Sequence, residues 1–159
     1  EVVAYTEEEC INGAKVALEC GCDILMGTLF FDSVNEFCKQ NSIKYMPFVG
    51  KGSGRPSVLD GTVDEMIAQA TQYIKKGAYG VDLLAYRYKG NGEKLIEDFV
   101  SKVDVPVCIA GSINSFARLD VVKKSGACAL TVGGAFFENR FAEDFEEQID
   151  KVFDCLTTL

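Results

Sequence analysis

The 159-residue chain is 48% hydrophobic, enough for one domain with a sizeable core and short of two ordinary domains of about 100–200 residues each. Its 16 basic and 24 acidic side chains leave a formal charge of −8, which repels nucleic acid and anionic lipid over most of the surface and makes any anion site a local feature. With no histidine in the chain, the commonest general base and metal ligand is missing, so catalysis falls to carboxylate, lysine, tyrosine or thiol.

The chain opens on Glu1-Val2-Val3-Ala4-Tyr5 without an initiating methionine. The run reads as a strand already under way, and an amino-terminal piece is expected upstream. Thr6 and Glu9 have the spacing of a capping box and open a predicted helix to about Glu19. Asp23–Met26 is the next predicted strand, Ser33 and Glu36 form a second capping box for a helix to about Gln40, and Ile43–Val49 is a strand. Gly50–Ser57 carries three alternating glycines and a proline, which predicts a long irregular loop at a strand exit. A third capping box, Thr62 to Glu65, opens a helix striped by Val63, Ile67, Ala70 and Ile74. Gly80–Tyr86 reads as a strand, 93–102 as a helix, 105–110 as a strand, 115–124 as a helix and 128–132 as the last strand. A final amphipathic helix carries Phe145, Ile149, Val152 and Phe153, and its many acids read as a solvated face.

Alternating β and α elements with near-continuous apolar strands predict a parallel sheet covered by helices. Gly21, Gly77 and Gly126 each stand at a predicted helix end just before a strand, the place of a C-cap glycine. In this repeat Asp23 and Asp82 fall at strand starts, opposite the exits, and read as turn or capping residues. The seven cysteines are odd in number and scattered, which fits a reducing cytoplasm. Cys20 and Cys22 lack the histidine or second pair that a metal centre needs, so no metal or cofactor is expected. Cys108 and Cys128 read as small core residues. No apolar run approaches the roughly 20 residues that span a bilayer, and no membrane partner is expected.

The most telling stretch is 105–137, where the runs V-P-V-C-I-A-G-S-I and A-L-T-V-G-G-A each end in glycine. Glycines at the carboxyl ends of buried strands let backbone N–H groups approach an anion, and two such exits side by side pool their amides on one phosphate. A small phosphorylated metabolite is the expected ligand.

On these two runs the chain resembles the carboxyl-terminal part of the phosphate-binding (β/α)8 barrels, the ribulose-phosphate-binding-barrel-like superfamily of phosphosugar epimerases, isomerases, decarboxylases and some aldolases. The resemblance implies phosphate binding by Gly111 and Ser112 on the seventh exit and by Gly133 and Gly134 on the eighth. It makes Gly80–Tyr86 strand six, Ile43–Val49 strand five, Asp23–Met26 strand four and Val2–Ala4 strand three. The fold class so implied is a parallel (β/α) barrel of six βα units without the first two, and the competing architecture is a flavodoxin-like doubly wound sheet. A partial barrel exposes a sheet edge, so a homo-oligomer that covers it is expected.

Reactive groups of barrels come from the exits, which makes Lys51, Glu1 and Arg87 the catalytic candidates and Arg55, Thr28 and Tyr86 the substrate-binding ones. Lys51 has the chemistry of a Schiff base, Arg55 and Arg87 that of a carboxylate or phosphate clamp, and Glu1 is the carboxylate of the opening strand. No Asp-x-Lys-x-x-Asp stretch occurs, and Cys108 stands where one aldolase branch carries lysine. The expected function is an isomerase, epimerase or aldolase-type lyase acting on a small phosphorylated carbohydrate, and the alternative is a non-catalytic barrel that senses a phosphometabolite.

Overall fold

A computed structural model describes residues 1–157. Five of the predicted starts and stops rest on local chemistry. Helix α1 (Glu7–Glu19) begins on Thr6 and helix α3 (Val63–Lys75) on Thr62, each with both halves of the capping box formed. Gly21, Gly77 and Gly126 all take positive φ just beyond helix ends, a conformation glycine adopts without the steric cost other residues meet. Thr62→Ala removes an acceptor for the Glu65 N–H and is expected to cost about 1 kcal/mol of stability, read by urea denaturation.

The sheet grows strictly in chain order. Ala4 bridges Thr28 beside strand β1 (Ile24–Met26), which pairs in parallel with β2 (Lys44–Met46). Phe48, just past β2, bridges Asp82 in β5 (Val81–Leu83), which pairs with β6 (Val107–Ile109), which pairs with β7 (Ala129–Leu130). Every parallel strand therefore lies beside its predecessor. A doubly wound sheet must reverse its order at a switch point, and this one does not. The chain is a singly wound parallel β/α structure of the barrel type. Helix α1 packs on α2 (Asp32–Gln40), α3 on α4 (Gly92–Val100), α4 on α5 (Phe116–Ser125), and α5 on α7 (Phe145–Thr157).

Strand alternation sorts the side chains. Val81, Leu83, Val107 and Ile109 join Leu95, Ile96, Phe99 and Leu119 in the helix-facing core. The intervening Asp82 and Cys108, paired across β5 and β6 and fully buried, point to the opposite, inner side.

Several expectations give way. The run 50–57 is not an irregular loop: β3 (Lys51–Ser53) pairs antiparallel with β4 (Val58–Asp60), and the glycine and proline fall in the turn between them, with Gly54 at φ 78°. Ser33 caps nothing, because the N-cap of α2 falls two residues earlier, on Phe31, and the Ser33 hydroxyl donates instead to Glu7 Oε1. The strand expected over 80–86 is only Val81–Leu83, followed by a 3-10 turn, Ala85–Arg87. That shortening puts Asp82 at the centre of its strand rather than at a starting turn. Cys128 is exposed, not a core residue. In α7 the buried face is Gln148 and Val152, while Phe145 and Phe153 are 51% and 63% exposed.

Candidate functional site

The two glycine exits and the 3-10 turn meet at the carboxyl ends of β5, β6 and β7. Glu1, Val3, Leu84, Arg87, Gly111, Ser112, Thr131, Gly133 and Gly134, with Pro56 and Ser57 of the hairpin turn, line a cavity of about 270 Å³. A smaller one of about 110 Å³ adjoins it, sharing Arg87, Ser112, Gly133 and Gly134 and adding Asn114 and Glu138. Residues of the opening segment and of the last strand share one wall, as they do when a singly wound sheet curls round.

Local structure sets each lining group. Gly111 has φ 84°, and a Cβ there would lie 2.6 Å from Arg87 Cγ; the missing side chain is what lets Arg87 fold across the exit of β6. Ser112 takes φ 54°, an uncommon backbone for a residue with a side chain, and it is held there from outside. The Arg118 guanidinium donates to the Ser112 carbonyl and, at 3.1 Å, to Asn114 Oδ1. At the exit of β7 a Cβ on Gly133 would meet nothing within 4 Å, so this backbone faces open space. Helix α6 (Gly134–Phe137) starts there. The loop that follows is tied down by Gln148, buried, whose Nε2 donates to the Phe136 carbonyl at 3.0 Å and to Asn139 Oδ1 at 3.3 Å.

Charge in the site is sparse. Arg87 is the one cationic side chain lining either cavity and enters no ion pair among the described residues. Glu138, the nearby acid, is neutralised by Arg140 at 2.9 Å. One uncompensated guanidinium beside open glycine backbone suits a ligand with a compact negative group.

Asp82, on the inner side of β5, is fully buried and lines neither cavity. Its backbone is satisfied, the N–H donating to the Pro47 carbonyl at 2.9 Å and the carbonyl accepting from Val49, yet neither carboxyl oxygen has a partner. Burial holds its pKa well above the ordinary carboxylate range and the Glu1 charge adds to the rise; no hydrogen bond reaches either oxygen. Burial, then the Asp82 charge, pushes the Cys108 thiol upward as well. On the inner face burial thus disfavours the charged form of both groups.

Of the sequence candidates, Glu1, Arg87, Gly111, Ser112, Gly133 and Gly134 converge on the cavity, and four do not. Lys51 lies on β3, exposed, 3.7 Å from Glu65, because the hairpin carries it outward. Thr28 is fully buried with its hydroxyl 2.8 Å from that of Tyr45, so it faces the helix layer. Tyr86 donates to the Arg118 carbonyl at 3.4 Å under the Arg118 guanidinium, and burial pushes its pKa up to about 12. Arg55 donates to the Val3 carbonyl at 3.2 Å beside Glu9, fastening the hairpin to the opening segment. Leu84, Thr131 and Asn114 were not singled out by sequence; Leu84 and Thr131 each sit one or two residues past a β-strand, a spacing that would have found them. No group of three or more Cys, Asp or Glu among the described residues is placed to hold a metal ion.

No family model matches the chain, and no curated protein matches it by sequence. Solved structures do match its fold. A BexX/CysO complex from Amycolatopsis orientalis aligns over 98% of this chain and 66% of its own, at 16% identity and a TM-score of 0.60. Native KDPGal aldolase aligns over 97% and 65%, at 13% identity and 0.62. The N-acetylmannosamine-6-phosphate 2-epimerase of Clostridium perfringens aligns over 90% and 60%, at 19% identity and 0.60. The chain spans less than two thirds of each of these proteins. What they share with it is the fold: a parallel β/α structure of the TIM-barrel type.

Proposed function

We propose that this chain binds a small phosphorylated carbohydrate at the exits of β6 and β7 and belongs to an enzyme that isomerises, epimerises or cleaves it. The carrying observation is convergence. Gly111, Ser112, Gly133 and Gly134, far apart in the chain, line one cavity together with the unpaired Arg87. In the proposed pose the phosphate lies against the glycine backbone and the guanidinium, and the carbon chain extends along the wall of Glu1, Leu84 and Thr131. Glu1 is the exposed carboxylate on that wall and the candidate for moving a proton. Lys51, ion-paired on the outer hairpin, is not positioned for a Schiff base, which favours proton transfer over imine chemistry. The names of the epimerase and aldolase with this fold accord with such a substrate.

Thermal unfolding with a panel of sugar phosphates tests the reading. A ligand at 100 times its dissociation constant adds about 2.7 kcal/mol to stability. Gly133→Asp, which places a carboxylate in the open space facing the cavity without a steric clash, is expected to abolish the shift. An unchanged shift in that variant, or no shift with any phosphate compound, would count against the site. Appearance of an isomer, epimer or cleavage product in the same samples separates the enzyme from a sensing barrel.

A further inference from the structure

We infer that Asp82 forms an inner subsite in which a protonated carboxyl donates a hydrogen bond to a carbonyl oxygen of the ligand. The inference deepens the phosphate reading above and rests on it. Three observations lead there. Asp82 is fully buried with both carboxyl oxygens unpartnered, while its backbone N–H and carbonyl are both bonded; a native fold rarely leaves such a group without a use. It lies on the inner side of β5, two residues before Leu84, which lines the cavity, so about 7 Å of strand separates it from the mouth. Glu1 connects the two levels, lining the cavity and acting electrostatically on both Asp82 and Cys108.

Burial, with no cation paired to either oxygen, disfavours the charged form of the Asp82 carboxyl. Cys108 is paired with it across β6, its thiol pushed up by burial, and the Glu1 carboxylate of the opening segment acts on it with a like charge. A neutral carboxyl has one O–H to give and prefers an acceptor that brings no charge into the interior. A ketone or aldehyde oxygen on the carbon chain of a phosphorylated ligand meets that need. Its phosphate would occupy the exits while its carbonyl end points inward. The step is a hydrogen bond and no covalent bond changes.

Two related probes isolate it: dihydroxyacetone phosphate, which offers a carbonyl, and glycerol 3-phosphate, which offers a hydroxyl in its place. Inorganic phosphate serves as the control that reaches only the exits. Calorimetric affinities are measured for the unaltered chain, for Asp82→Asn, which keeps a donor of the same shape, and for Asp82→Leu, which removes it. The expected result is a loss of dihydroxyacetone phosphate affinity of 10-fold or more in Asp82→Leu and 3-fold or less in Asp82→Asn, with inorganic phosphate affinity unchanged in both. A carbonyl stretch of the protonated carboxyl, seen by infrared difference spectroscopy and absent in Asp82→Asn, should shift when dihydroxyacetone phosphate binds and stay fixed with inorganic phosphate. Equal affinity for dihydroxyacetone phosphate in all three chains, with inorganic phosphate still bound, overturns the inner subsite and leaves the phosphate site standing. Failure of every phosphate compound to bind the unaltered chain overturns both.

Discussion

Replacing Arg87 with Met is expected to lower the affinity for any phosphorylated ligand by about 10- to 100-fold, the worth of one or two charge-assisted hydrogen bonds at about 1.5–3 kcal/mol. The size of the effect follows from the want of a second cationic side chain among the lining residues. Arg87 is the one cation lining either cavity, and Glu138 across from it is already paired with Arg140. Met keeps the aliphatic stem that packs beside Gly111, so the change removes the guanidinium and little packing. Lys51→Ala, an exposed lysine paired with Glu65 on the outer hairpin, should leave the same affinity untouched. Titration calorimetry against inorganic phosphate reads both. A loss in Lys51→Ala as large as in Arg87→Met would move the anion site to the hairpin.

Asp82→Asn is expected to raise stability at neutral pH and to remove part of its pH dependence. Burial raises the folded-state pKa of Asp82 above the unfolded value, so in the interval between the two the folded chain binds a proton that the unfolded chain has released. Stability contributed by this group is therefore greatest at or below the unfolded pKa and falls as pH rises, by about 1.4 kcal/mol per pH unit, until the folded pKa is reached. Asn carries no titrating proton and loses that slope. Urea denaturation of both chains between about pH 4 and pH 8 checks it, the difference between them isolating Asp82 from other groups. Parallel curves would show that the carboxyl titrates alike folded and unfolded.

A protein that keeps such a residue gives up stability for it, and the sequence hid this one for a physical reason. The motif Gly77-Ala-Tyr-Gly-Val-Asp82 looks like the helix-end turns at Gly21 and Gly126, which do take the left-handed C-cap conformation. Only the strand length, Val81–Leu83, decides whether Asp82 belongs to the turn or to the inner face, and strand ends are set by ladder hydrogen bonds with Pro47 and Pro106 that composition does not encode. Lys51 went astray in the same way, since three glycines and a proline read as looseness until β3 and β4 pair around them.

By contrast, much of the βα order was legible because some helix starts carry their own chemistry, as at Thr6 and Thr62. The glycine exits were legible because glycine after a buried β-branched run has few other uses. Thr28 shows the limit of that reasoning: an exit residue in sequence, it turns outward to Tyr45 in space, and a one-residue change of direction at a strand end is enough to exchange the two faces. Arg118 and Gln148, which hold the exits in shape from outside, are visible only once the helices have been packed.

The central claim is that the exits of β6 and β7 hold one phosphate between them. Backbone amide shifts followed by NMR during titration with inorganic phosphate test it most directly. Saturable shifts are expected at Gly111, Ser112, Gly133 and Gly134 with a common dissociation constant, and none at Thr28 or Lys51. Shifts confined to one exit, centred on the hairpin, or failing to saturate would contradict it.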